Sequence, residues 1–281
     1  MKNNLTIRQL LPVLVSLSVI SCNNPGTTSK TSAASDYHDH VQIHSHNDYQ
    51  HAVPFTDAYF HHAAEIEADV FLPRTPAMKD SLMIGHDTTD ITPGRTLISM
   101  YIGPIVSLFK KYNNRVSSDP NYTFRLMIDV KDQWKDVYSL LLKEINKYPS
   151  VFNRKVNPMA IQVFVSGNRP PDSTFHTYPD IINFDGLPAH NYAQADLAKV
   201  VLISDNFETY SHWKGEGELP AKDLAGIKKV IDAAHAIDKP FRFWGTPDNA
   251  NVWEQLRLAG ADVINTDKIA DCTQYFESFY K

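Results

Sequence analysis

The chain has 281 residues, 43% hydrophobic, 11% aromatic and 21% charged, which excludes a disordered chain, a collagen, a coiled coil and a polytopic membrane protein. Its 27 Lys+Arg against 32 Asp+Glu give a formal charge of −5, and with no basic run the expectation is of no nucleic-acid partner. Only Cys22 and Cys272 are present, so neither a disulfide framework nor a cysteine zinc cluster is available.

Residues 1–21 carry Lys2 and Arg8 and then an apolar stretch from Leu10 to Ile20, too short for a comfortable transmembrane helix and suited to a signal-peptide core. The stretch ends in Val19-Ile20-Ser21-Cys22, which resembles the lipobox of bacterial lipoproteins. That resemblance implies cleavage before Cys22 and a diacylglycerol on its sulfur; a plain signal peptide with a bystander cysteine is the alternative. Loss of Lys2 and Arg8 leaves 25 basic against 32 acidic residues, a mature charge of −7. Residues 22–37 are small and polar and read as a flexible tether, followed by one folded domain over 38–281. The expected product is exported and anchored to a membrane by its N-terminal lipid, facing the periplasm or the cell surface.

From residue 41 short apolar runs alternate with helical patterns. Strands are predicted at 41–46, 65–71, 124–131, 160–166, 181–185, 200–204, 240–244 and 262–266, and helices at 134–147, 222–237 and 249–258. The stretch 88–123 is less regular. Repeated strand–helix alternation predicts an α/β fold, a TIM (β/α)8 barrel. A doubly wound open sheet is the alternative, but no Gly-x-Gly-x-x-Gly turn supports it.

Residues two apart in a strand share a face. In Glu65-Ile66-Glu67-Ala68-Asp69-Val70-Phe71 the three acids point one way and the apolar set the other. The strand from Phe124 to Lys131 likewise groups Arg125, Met127, Asp129 and Lys131. In a barrel the charged faces turn inward, and clustered carboxylates repel unless paired, protonated or bound to a cation. Glu67, Asp69 and Asp129 lie toward the C-terminal strand ends, where barrel enzymes build their sites, and offer hard oxygen ligands suited to Mg²⁺ or Ca²⁺. Glu65 and Arg125 lie lower and are expected to form a structural ion pair. His44 and His46 share a face; His46 is nearer the strand end, and His44 is expected to be buried beneath the site.

In order, His46-Asn47, Glu67-x-Asp69, His86-Asp87 and Asp129-x-Lys131 resemble the superfamily of phosphatidylinositol-specific phospholipases C and glycerophosphodiester phosphodiesterases. The wording His44-Ser45-His46-Asn47-Asp48-Tyr49, with Gly85-His86-Asp87, Phe243-Trp244-Gly245-Thr246-Pro247-Asp248 and Asn265-Thr266-Asp267, is similar to the branch named for altered inheritance of mitochondria protein 6. The resemblance covers nearly all of 41–270. It implies a metal-dependent phosphoric diester hydrolase with His46, His86 and Lys131 catalytic and Glu67, Asp69, Asp129 and Asn47 holding the cation. His46 is assigned as base and His86 as acid. The substrate is a phosphodiester, either a small molecule or a lipid headgroup. Asn-Asp follows His46 where glycerophosphodiesterases usually have Arg-Gly, and Asp129 stands where they usually have Glu, which bears on the substrate more than on the chemistry.

Trp244 is expected either at the barrel-mouth wall beside the substrate or in the core. Asn265 is a candidate substrate contact, and Asp267 is read as structural. Two other readings compete. An amidohydrolase-type metal hydrolase would use His44 and His46 on zinc, but no further histidine ends a middle strand. A catalytically silent barrel retained as a ligand-binding lipoprotein would bind a phosphodiester without turnover.

Overall fold

The computed structural model describes residues 41–78, 81–188 and 190–278. The chain divides into two units, Met1–Thr31 and Ser32–Lys281, and every described residue belongs to the second. The signal peptide, Cys22 and the tether expected at 1–37 lie outside the described residues. Among the described residues no helix is long and apolar enough to cross a membrane.

Among the described residues there are nine strands: β1 (Gln42–Ser45), β2 (Glu65–Phe71), β3 (Met83–Ile84), β4 (Arg125–Val130), β5 (Gln162–Gly167), β6 (Ile182–Gly186), β7 (Val200–Asn206), β8 (Phe241–Trp244) and β9 (Val263–Thr266). They run in the order β1-β9-β8-β7-β6-β5-β4-β2, and pairing of β1 with β2 closes eight parallel strands into the expected TIM barrel. The ninth, β3, is a two-residue addition antiparallel to the end of β2 and lies outside the predicted strands. The outer helices are α1 (Thr56–Phe60), α2 (Gly103–Lys111), α3 (Trp134–Ile145), α4 (Pro149–Phe152), α5 (Gln194–Leu197), α6 (Ala221–His235), α7 (Ala250–Ala259) and α8 (Ile269–Glu277).

The periodicities explain the layers. On α3, Trp134, Val137, Leu141 and Ile145 recur at helical spacing and are buried, as are Ile227, Val230, Ile231 and Ala234 on α6. Helix α7 starts at Asn249, whose side chain accepts from Val252 N, and stops at Gly260 with φ of 103°, a left-handed cap that suits glycine. Ile66, Ala68 and Val70 of β2 and Leu126, Ile128 and Val130 of β4 face these helices and are almost fully buried. Inside the barrel Met127, Phe164 and Leu202 form a small separate apolar cluster. The irregular stretch 88–123 contains a π-helical turn, Ile98–Ile102, that runs into α2.

A buried acid on an outer helix carries a stability consequence. Glu144 on α3 is fully buried, and its Oε1 accepts from Leu82 N at 2.8 Å. Burial outweighs that bond and pushes its carboxyl up to about 7. An acid with a raised folded pKa binds more protons folded than unfolded, so stability falls as pH rises from about 4.5 through 7. Glu144→Gln keeps an acceptor for Leu82 N and removes the charge. In denaturant unfolding, its stability relative to the parent is expected to improve by roughly 2 kcal/mol between pH 5 and pH 8. Parallel pH curves for the two proteins would show that Glu144 carries no such penalty.

Candidate active site

The register of β2 on β4 sets Glu65 beside Arg125, Glu67 beside Met127 and Asp69 beside Asp129. At the lowest level Arg125 Nη2 pairs with Glu65 Oε1 at 2.7 Å, the ion pair the sequence led us to expect. His44 is fully buried, with Nδ1 2.8 Å from Glu65 Oε2 and Nε2 2.7 Å from Glu67 Oε2. Burial alone would raise Glu65, but Arg125 and His44 hold it at about 2. Glu67 is likewise held well below the usual carboxylate range, the His44 bond and nearby histidine charge outweighing burial. His44 is therefore a buttress beneath the site.

One level up, Glu67, Asp69 and Asp129 each present an oxygen, and these three lie within 4.8 Å of one another. Burial and the Glu67 carboxylate drive Asp69 and Asp129 upward from their ordinary pKa. Lys131 Nζ relieves part of this strain, 2.9 Å from Asp69 Oδ2 and 3.2 Å from Asp129 Oδ1. Among the described residues Asp69 Oδ1 nevertheless has no hydrogen-bond partner, though it is buried. A bare carboxylate oxygen beside two more carboxylates fits a divalent cation with oxygen ligands. Gly167 makes room here: its φ is 68°, and a Cβ on it would fall 2.3 Å from Asp129 Oδ1. Among the described residues no histidine joins this acidic group.

Above the acids the chain ends of β1 and β9 meet. His46 Nδ1 donates to Asp267 Oδ1 at 2.7 Å, which leaves Nε2 as the ring nitrogen without a partner among the described residues. Burial lowers the His46 pKa, but the Asp267 bond and the Glu67 charge outweigh it, so the net direction is upward. The sequence leads us to expect a structural Asp267; in the structure its carboxylate accepts from His46. Asn47, in the left-handed region at φ 47°, donates through Nδ2 to Asp267 Oδ1 at 3.2 Å, and its Oδ1 lies 2.8 Å from Tyr49 Oη. Its Oδ1 carries two lone pairs, so the contact with Tyr49 leaves one for a cation.

Tyr49 belongs to the sequence motif, and the sequence assigns it no role. Its Oη lies 2.7 Å from Asp69 Oδ2 and 3.0 Å from His86 Nδ1, so one buried hydroxyl links a metal-type carboxylate to the second histidine. His86 is 58% exposed in its side chain, and a turn in which Asp90 Oδ2 accepts from His86 N and Asp87 N fixes its backbone.

A cavity of about 550 Å³ gathers these groups, lined by His46, Asn47, Glu67, His86, Asp129, Lys131 and Trp244 among others. Trp244 is 42% exposed, a wall residue and not core. Asn265 differs from expectation: it is 5% exposed and accepts from Arg242 Nη1 at 3.2 Å below the cavity, a barrel contact in place of the substrate contact. Arg242 itself, 2% exposed and 2.7 Å from His44 Nε2, was missed. Its signal was present, since a charged residue between Phe241 and Phe243 shares the inward face with Trp244.

The AIM6-like phosphodiesterase domain family matches residues 34–184, more than half of the chain, and the glycerophosphoryl diester phosphodiesterase family matches residues 240–270. The altered inheritance of mitochondria protein 6 homolog of Arthroderma benhamiae is 26% identical over 268 residues, 84% of each chain. Altered inheritance of mitochondria protein 6 of Eremothecium gossypii is 23% identical over 293 residues, 88% of this chain and 72% of the relative. Among solved structures, a glycerophosphodiester phosphodiesterase from Parabacteroides distasonis superposes with a TM-score of 0.51 at 13% identity, covering 86% of this chain and 98% of the other. A calcium-dependent phosphoinositol-specific phospholipase C from Pseudomonas sp. gives 0.51 at 11% identity, covering 83% and 91%. At such identities the likeness is one of fold. The chain belongs to the AIM6-like phosphodiesterase domain family and is a phosphoric diester hydrolase on a TIM barrel.

Proposed function

We propose that hydrolysis depends on a divalent cation, Mg²⁺ or Ca²⁺, held by Glu67, Asp69 and Asp129. The observation that carries this reading is the unpartnered, buried Asp69 Oδ1 within a three-carboxylate cluster at the cavity. When bound, the cation supplies positive charge against a non-bridging phosphate oxygen. The remaining work falls to the chain. His46, oriented by Asp267, takes the proton of the attacking hydroxyl through its free Nε2. His86 protonates the leaving alcohol, and Tyr49 holds its Nδ1 side. Lys131, whose pKa is raised because Asp129 and Asp69 outweigh burial, stays cationic and contacts a second phosphate oxygen as a point charge. The attacking hydroxyl is either water or a hydroxyl of the substrate itself, which would give a cyclic phosphate.

The substrate is a phosphodiester of a small molecule or a lipid headgroup. The site of action is the exported side of a membrane, with the chain tethered through lipidated Cys22 and no nucleic acid involved. Incorporation of labelled fatty acid that survives in Cys22→Ser would remove the anchor from this reading.

Metal removal tests the centre of the proposal. Turnover of bis(p-nitrophenyl) phosphate, glycerophosphodiesters and phosphatidylinositol by the chain is expected to fall at least about a hundredfold in chelator and to return with Mg²⁺ or Ca²⁺. Undiminished turnover in chelator would refute the cation.

A further inference from the structure

An exposed carboxylate on a loop is a poor orienting group unless its backbone is fixed, because its rotamers cost little to change. Asp267 follows β9 directly, and its side chain is 55% exposed, yet it sets the angle of His46. Its backbone N donates to Asp248 Oδ2 at 2.8 Å. Asp248 Oδ1 in turn accepts from Thr266 Oγ1 at 2.7 Å and from Trp253 Nε1 at 2.8 Å. Lys268 Nζ donates to the Asp248 carbonyl at 3.0 Å. Asp248 therefore ties together the residues before, at and after the orienting position. Trp253 is only 3% exposed and anchors the whole assembly in α7.

We propose that Asp248 is a positioning residue for hydrolysis, acting on His46 through Asp267. This rests on the reading of His46 as base. The carboxylate needs both oxygens: one grips the Asp267 amide, and the other is pinned by an indole and a hydroxyl from two elements of the barrel. Loss of the grip lets the Asp267 loop drift, and a displacement of about 1 Å at a catalytic group costs up to a hundredfold in rate. The run Gly245-Thr246-Pro247-Asp248 then has a purpose: it carries the chain from the cavity wall at Trp244 back to the base that faces it.

A double-mutant cycle on bis(p-nitrophenyl) phosphate turnover tests this, with unfolding temperatures measured in parallel. Asp248→Ala and Asp267→Ala are each expected to lower kcat about ten- to a hundredfold with KM within about threefold. Because both act through one imidazole, the double variant is expected to match Asp267→Ala within about twofold. Asp248→Asn, which keeps the shape and one oxygen, is expected to show a smaller fall and serves if the alanine variant does not fold. In proton NMR the hydrogen-bonded His46 Nδ1 proton is expected to vanish in Asp267→Ala and to broaden or shift in Asp248→Ala. Single effects that multiply in the double variant, or full kcat in Asp248→Ala beside a damaged Asp267→Ala, would overturn the positioning role and leave the base intact. Full kcat in both Asp267→Ala and His46→Ala would instead overturn the base on which it rests.

Discussion

His46→Ala is expected to lower kcat at least about a hundredfold while the chain keeps its fold. The side chain is partly exposed, its direct ring contacts are with Asp267 and Asn47, and its loss leaves no buried charge without a partner. His44→Ala should behave in the opposite way. It would strip Glu65 and Glu67 of a shared partner at a position with no solvent access, and breaking a buried pair of this kind costs on the order of 3–5 kcal/mol. Unfolding temperature and kcat together thus separate two histidines two residues apart. His86 is distinguished by leaving group. An acid matters most when an alkoxide must depart, so His86→Ala should be severe on glycerophosphodiesters and mild on p-nitrophenyl esters, whose phenolate leaves unaided. Should His46→Ala show that leaving-group dependence and His86→Ala not, the two roles are exchanged. Near-normal kcat in both variants would sink the acid–base assignment.

Much of the barrel is legible because period-two alternation is local. Glu65-Ile66-Glu67-Ala68-Asp69 and Arg125-Leu126-Met127-Ile128-Asp129 state their two faces in the sequence, and the predicted strands fall within one or two residues of those observed. The same alternation brings Glu67, Asp69 and Asp129 to one place, since β2 and β4 pair in register. What was not legible depends on contacts between distant segments. Asp267 meets His46 across 221 residues, and nothing in Asn265-Thr266-Asp267 says which of its two polar termini turns to the cavity. The reading favoured Asn265 for substrate; the pull of Arg242 on Asn265 Oδ1 settles it inward. Tyr49 was hidden for another reason. It sits in a 3-10 turn, Asp48–Gln50, where neither strand nor helix periodicity predicts direction, so its reach to Asp69 and His86 emerges only in three dimensions.

Asp69→Asn should separate catalysis from stability with opposite signs. Asp69 is crowded by Glu67 and Asp129, and burial adds to their repulsion; together these drive its carboxyl far above the ordinary range. In chelator the neutral amide removes that repulsion and can still accept from Lys131 Nζ and Tyr49 Oη, so the variant is expected to be at least as stable as the parent. With Mg²⁺ or Ca²⁺ the order reverses. The parent gains RT ln(1 + [L]/Kd), about 2.7 kcal/mol at a hundred times Kd, whereas the variant has lost a charged ligand and gains little. Turnover is expected to fall at least about a hundredfold, because the carboxylate that destabilises the free chain is the one proposed to bind the cation. Thermal unfolding of both proteins with chelator and with each ion reads this directly. An ion-dependent rise of equal size in parent and variant would place the cation elsewhere, and a variant less stable than the parent in chelator would mean that Lys131 already neutralises the cluster.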